Sequence, residues 1–77
     1  MFTPIDTLTF IVQSILPGNT EIDIKQKEEN EIQILEITAP EELKGRLIGK
    51  AGRIIKAIRT IIAVSFPQQR ILVKIID

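Results

Sequence analysis

The sequence predicts an α+β fold in the order α-β-β-α-α-β, with a three-stranded mixed sheet and all helices on one face. Three observations support this prediction. Apolar residues recur with helical spacing near the N-terminus, two alternating segments follow between residues 21 and 37, and two helical segments precede a last apolar run. Because two helices separate the second and third strands, these strands should be parallel and joined by a right-handed crossover.

The first helix is predicted to begin after Thr3, which can cap it, with Pro4 in the first helical position. A stripe with helical spacing follows and consists of Ile5, Leu8, Val12 and Ile15. The run Pro17-Gly18-Asn19 should end the helix. Its apolar stripe is expected to pack in the core, and Phe10 is a surplus apolar residue that can contact a second copy.

The strands are predicted from their apolar patterns. Residues 21–25 alternate with period two, residues 27–30 form a polar turn, and residues 31–37 make the second strand of a hairpin. Residues 70–76 form the last strand, which is almost continuously apolar. The loop before it is expected to be about four residues long and contains Pro67, which disfavours helix at Phe66.

The stretch from Lys44 to Ile62 holds six of the ten basic residues and no acid. A short helix is expected from Pro40 to Ile48, and a long one from about Gly52 to Ser65. On the long helix one arc is basic and comprises Arg53, Lys56 and Arg59 together with Thr60. The opposite side is apolar and comprises Ile54, Ile55, Ala57, Ile58, Ile61, Ile62 and Val64. This helix should therefore pack one face on the core and direct the basic face outwards.

Gly49 and Gly52 bracket the turn between these two helices. Gly49 can adopt the positive φ angle that ends a helix, and Gly52 leaves the entry to the next helix without a side chain. Backbone amides at a helix start lack intrahelical acceptors and carry partial positive charge, so they favour phosphate. Lys50 and Arg53 lie within reach of the same anion.

The formal net charge is zero, but its distribution is uneven. Residues 44–59 carry +6, and the remaining ten acids and four bases sum to −6. A positive face on a neutral chain predicts oriented, modest binding of a polyanion. The alternative is that these lysines and arginines only keep a surface helix hydrated and bind no partner.

The run GRLIGKAGR at residues 45–53, followed by KAIR at 56–59, resembles the signature of KH-domain RNA-binding proteins. More narrowly, it is similar to the small, single-domain bacterial KhpA type. The resemblance implies a type II (prokaryotic) KH domain over residues 1–77. It also implies a groove that clamps about four unpaired nucleotides of RNA. Ala51 departs from the family, where a polar residue is common, and this removes a contact from the turn.

The resemblance implies that the last strand and the loop before it form the other side of the groove. The implied RNA-binding residues are Gly49, Lys50, Ala51, Gly52, Arg53, Arg46 and Lys56, with Leu47, Ile48 and Ile55 as an apolar floor. Weak, sequence-tolerant binding by a cytoplasmic RNA chaperone or post-transcriptional regulator is expected. Avidity would come from a homodimer or from pairing with a larger Jag-like KH partner. A protein–protein adapter whose RNA contact is secondary is the alternative function.

Other classes of function fit the sequence less well. A helix-turn-helix DNA reader would need polar base-reading residues where Ile54 and Ile55 stand. A P-loop needs one more residue between Gly45 and Gly49, and Ser or Thr after Lys50. The chain has no histidine and no cysteine, so neither an enzyme with an activated nucleophile nor a thiolate metal site is expected. A cation site at Glu28, Glu29 and Glu31 is not expected either, because neighbouring residues on a solvated turn rarely converge, and no cofactor or small-molecule substrate is expected. A signal peptide and a membrane span are not expected either.

Overall fold

The computed structural model describes residues 2–18 and 21–76, and the predicted order of elements is confirmed. The helices are α1 (Pro4–Ile15), α2 (Glu41–Ile48) and α3 (Arg53–Ser65), and the strands are β1 (Asp23–Glu29), β2 (Ile32–Thr38) and β3 (Ile71–Ile76). A single 3-10 turn at Lys50–Gly52 separates α2 from α3. Gly18 follows α1 with a φ of 79°, and Asn19 of the predicted helix stop lies outside the described residues.

The three strands form one mixed sheet with β2 at its centre. β1 pairs antiparallel to β2, with Glu29 opposite Ile32, and β3 pairs parallel to β2, with Val73 opposite Leu35. β1 and β3 are therefore the edges. The α2–turn–α3 segment supplies the connection that a parallel pair requires.

The core lies between the helices and one face of the sheet, and it is entirely aliphatic. Its members are Leu8, Val12, Leu16, Leu35, Ile37, Ala39, Leu47, Ile55, Ile58, Ile62 and Val73. Burial of a large aliphatic side chain stabilises a fold by about 1.5–3 kcal/mol, which makes this cluster the main source of stability. None of the described helices has the length and apolarity that a bilayer crossing requires.

The start of α1 is capped as the sequence predicts. Thr3 Oγ1 accepts from the amide of Asp6 at 3.3 Å, and Asp6 Oδ2 accepts from the amide of Thr3 at 3.2 Å. This reciprocal pair is a capping box. The hydrogen bond from the Thr3 amide, reinforced by the Thr3 side chain, holds the pKa of Asp6 below its usual value.

The hairpin differs from the sequence-based prediction in the position of its turn. β1 continues to Glu29, and the turn consists only of Asn30 and Glu31, with φ angles of 51° and 67°. Two positive φ angles in a two-residue loop are the mark of a type I′ hairpin turn. The predicted turn at residues 27–30 is wrong because β1 is an exposed edge strand, where polar residues such as Lys27 and Glu28 pair without being buried.

Replacement of Glu31 by glycine should stabilise the protein, because Asn-Gly is the preferred pair for this turn and glycine removes the strain of a positive φ. We expect the free energy of unfolding to rise by about 0.5–1 kcal/mol, or the melting temperature by roughly 3–6 °C. Thermal unfolding followed by circular dichroism measures both. Glu28→Gly, within β1, is the matched control and should lower the melting temperature; stabilisation by both changes would contradict the turn assignment.

Candidate nucleic-acid interface

The link between α2 and α3 is a tight turn in which three of four residues have positive φ. Gly49 ends α2 with φ 76° and ψ 171°, and its amide donates to the Gly45 carbonyl at 2.9 Å. Ala51 and Gly52 follow with φ angles of 56° and 73°. The Gly52 amide closes the turn on the Gly49 carbonyl at 3.1 Å. The positive φ predicted for Gly49 is present, and the turn also holds Ala51 in the left-handed region.

Only glycine fits at position 49. A Cβ built there would overlap the Ile54 side chain and lie 2.9 Å from both the Cβ and the backbone nitrogen of Ile54. Its dihedral angles also lie in a region that is essentially reserved for glycine. A Cβ at Gly52 would meet nothing closer than 3.9 Å. The first glycine is therefore needed for the close approach of α3, and the second for its left-handed backbone.

The start of α3 has no side-chain cap, in contrast to the start of α1, although the Arg53 amide donates to the Lys50 carbonyl in the preceding 3-10 turn. The N-cap residue Gly52 has no side chain to accept from the first amides, and no acid lies in the first helical turn. Helix starts leave several amide hydrogens without intrahelical acceptors, and those hydrogens carry partial positive charge. The first turn of α3 instead begins with the cation Arg53, so an anion bound there would meet amides and a guanidinium together.

The cations predicted for the site fall into two groups in the structure. Lys50, Arg53 and Lys56 are exposed, and none of them forms an ion pair with the described residues. Arg46 instead donates from Nη2 to the Ile15 carbonyl at 3.4 Å, at the end of α1. A cation at a helix C-terminus is favourable, so Arg46 has a structural role in this conformation.

The residues predicted as an apolar floor are divided between core and surface. Leu47 is fully buried and Ile55 is 6% exposed, so both pack in the core and present almost no surface to a ligand. Ile48 is 39% exposed beside the turn. Ile54, which sequence analysis assigned to the core side of α3, is 38% exposed and also lies beside the turn.

Gly45 lies in the middle of α2, where glycine costs roughly 1 kcal/mol relative to alanine. A Cβ built at this position would meet no atom within 4 Å. Close packing against another described helix therefore does not explain this glycine.

Gly49→Ala and Gly45→Ala should have opposite effects on stability. The first forces a side chain into Ile54 and into glycine-only dihedral angles, so we expect it to lower the free energy of unfolding by roughly 2–4 kcal/mol. The second replaces an open helical glycine and should raise it by about 0.5–1 kcal/mol. Urea denaturation of both variants measures the difference. Similar, small effects at the two positions would contradict the packing described for the turn.

The comparisons with known proteins agree with this geometry. The family model for the KhpA/KhpB KH domain matches residues 5–75. Curated relatives named "RNA-binding protein KhpA" include one from Chlamydia caviae, 37% identical over 74% of this chain and 73% of its own length. The relative from Leifsonia xyli is 30% identical over 91% of this chain and 92% of its own length. The relative from Borreliella burgdorferi is 31% identical over 95% of this chain and 92% of its own length.

A solved structure, that of APE1850, superposes with a TM-score of 0.62 at 30% identity. It covers 86% of this chain, which in turn spans 48% of that protein. The family match extends over nearly all of the strands, helices and the glycine turn described above. The chain therefore belongs to the KhpA/KhpB family of KH-domain proteins.

Proposed function

We propose that this chain is a single KH module that binds single-stranded RNA at the turn between α2 and α3. The observation that carries this proposal is the uncapped start of α3, surrounded by cations that have no carboxylate partner among the described residues. The relatives of this chain named as RNA-binding proteins support the same function.

The phosphate contacts follow from the backbone. Gly49 and Gly52 bring no side chains to the turn, so a phosphate can approach the main chain between them. Lys50 and Arg53 supply charge at this position, and Lys56 lies one helical turn further along α3. Arginine holds phosphate through paired N–H groups, whereas lysine acts as a mobile point charge.

The bases would lie beside the turn. Ile48 and Ile54 offer exposed apolar surface there, while Leu47 and Ile55 support that surface from the core. The free edge of β3 supplies backbone donors and acceptors for about four unpaired nucleotides. A surface with few free cations and no aromatic stacking platform gives weak, sequence-tolerant binding, on the order of micromolar, which suits an RNA chaperone or post-transcriptional regulator.

The double variant Lys50→Asp/Ala51→Asp should strongly weaken RNA binding without unfolding the chain. Both positions are exposed, and aspartate tolerates the left-handed conformation of Ala51 better than most residues. Two new negative charges at the turn repel phosphate, so we expect the affinity for a short unstructured RNA to fall at least about tenfold. Fluorescence anisotropy at fixed ionic strength measures the change.

The control variant is Lys25→Glu/Gln26→Glu on the exposed edge strand β1. This control changes the formal charge by the same three units as the turn variant, two from the lysine and one from the neutral residue. Both of its positions lie on β1 and outside the turn. Retention of affinity in this control together with loss in the turn variant supports the site. An equal loss in both variants would indicate a general effect of net charge, and full binding by the folded turn variant would contradict the site.

A second candidate function is that of a protein–protein adapter that pairs with its own copy or with a Jag-like KH partner. Exposed apolar residues on α3 favour it: Ile61 and Val64 are 47% and 73% exposed, and exposed Ala57 lies on the same flank. This spacing makes a narrow apolar stripe, which is the pattern of helix–helix contacts. Pairing would also bring two RNA sites together and raise the avidity of the complex.

Ile61→Asp should weaken such pairing, because it places a charge in the middle of the stripe. We expect light scattering to show a smaller mass than for the unmodified chain at the same concentration, while RNA affinity per chain at the turn persists. Gln13→Asp adds the same charge on the exposed side of α1 and should leave the mass unchanged. An unmodified chain that is monomeric at all concentrations would contradict self-pairing and leave only a different KH partner for this stripe.

A further inference from the structure

Arg59 connects α3 to the free edge of the sheet. Its Nε donates to the Val73 carbonyl at 3.1 Å, and this hydrogen bond is partly buried. The Arg59 side chain is otherwise exposed, and no second partner for its guanidinium occurs among residues 2–18 and 21–76. The remaining N–H groups of Arg59 are therefore available to a ligand that lies along β3.

The Val73 carbonyl belongs to the free edge of β3. The amide of Gln33 in β2 donates to the Arg70 carbonyl at 2.9 Å, and Gln33 is in register with Ile71. In a parallel ladder, alternate residues turn both their amide and their carbonyl to the neighbouring strand. Leu72 and the even-numbered residues after it therefore bond to β2, and the main-chain groups of Val73 point away from it.

This hydrogen bond changes what the edge of β3 offers to a base. A free residue at a strand edge presents one donor and one acceptor side by side, which matches the edge of adenine. At Val73 the carbonyl already accepts from Arg59. Because Val73 is only 2% exposed, its amide is largely covered, and the group offered to a base at this point is the Arg59 guanidinium. Its two Nη groups are neighbouring donors. The positive charge of the guanidinium also repels the amino hydrogens of an adenine that approaches the carbonyl.

We propose that Arg59 is a specificity-determining residue for RNA, and that it makes this edge favour bases with two adjacent acceptors. Cytosine presents O2 and N3 in this way, and guanine presents O6 and N7. Adenine presents an amino donor beside each of the acceptors on those edges, and uracil has an N–H donor between its two carbonyls. The inference rests on the proposed function, because it assumes that RNA bound at the turn extends along β3.

The geometry is stable enough to impose a preference. Val73 is 2% exposed and pairs with the central strand, so its carbonyl cannot turn to accommodate a different base. Arg59 lies on α3, which is anchored in the core by Ile58 and Ile62. A base that covers the N–H groups of Arg59 without accepting from them removes their water and loses affinity, which is the usual origin of discrimination by polar sites.

The test compares the affinities of the unmodified chain for oligocytidine and oligoadenosine of equal length, measured by fluorescence anisotropy. We expect oligocytidine to bind roughly tenfold more tightly. In Arg59→Met the Val73 carbonyl becomes free to accept from adenine, so the ratio of the two affinities should fall to about twofold or less. Arg59→Lys keeps the charge but lacks the planar fork, so overall affinity should persist while the ratio falls.

Arg53→Met is the matched control. It removes the same charge from α3, but at the phosphate end, so both affinities should fall by the same factor and their ratio should persist. Equal binding of the two oligonucleotides by the unmodified chain, or an unchanged ratio in folded Arg59→Met and Arg59→Lys, would overturn the role of Arg59 and leave the proposed function intact. No binding of either oligonucleotide would contradict the proposed function itself.

Discussion

The close approach of Ile54 to Gly49 is the constraint on which the rest of the site depends. α3 can begin immediately after α2 only if the residue at the junction has no side chain and adopts dihedral angles that other residues avoid. The same contact leaves the N-cap of α3 to Gly52, which cannot cap the helix. A packing requirement at the junction of α2 and α3 thus accompanies a helix start at the surface that no side chain caps.

The basic residues between Lys44 and Ile62 fall into two groups: some bond to other parts of the fold, and others have no ion-pair partner among the described residues. Lys44 pairs with Glu41 at 3.2 Å, Arg46 binds the end of α1, and Arg59 binds the edge of β3. The exposed residues Lys50, Arg53 and Lys56 form no ion pair with the described residues and are the cations that the proposed function assigns to RNA. Three such contacts would give a salt dependence with a slope of about −2 for single-stranded RNA, as expected for the weak binding proposed for this chain.

The order of elements and the glycine turn were predictable because they depend on local spacing and on the special dihedral angles of glycine. The end of β1 was not predictable from the sequence, because Lys27 and Glu28 are polar and pair with β2 on an exposed edge strand. The apolar pattern of α3 predicted that Ile54, Ile61 and Val64 lie in the core. In the structure α3 buries only a narrower stripe, which consists of Ile55, Ile58 and Ile62. The partners of Arg46 and Arg59 are backbone carbonyls 31 and 14 residues away, which no local pattern specifies.

The central claim is that the amides at the start of α3 receive a phosphate of the RNA backbone. Titration of the isotopically labelled chain with a short unstructured RNA, followed by amide chemical shifts, tests it directly. The amides of residues 50–54 should shift first and furthest, with smaller changes along β3. Shifts confined to the helix-free face of the sheet, with residues 50–54 unchanged at saturation, would contradict it.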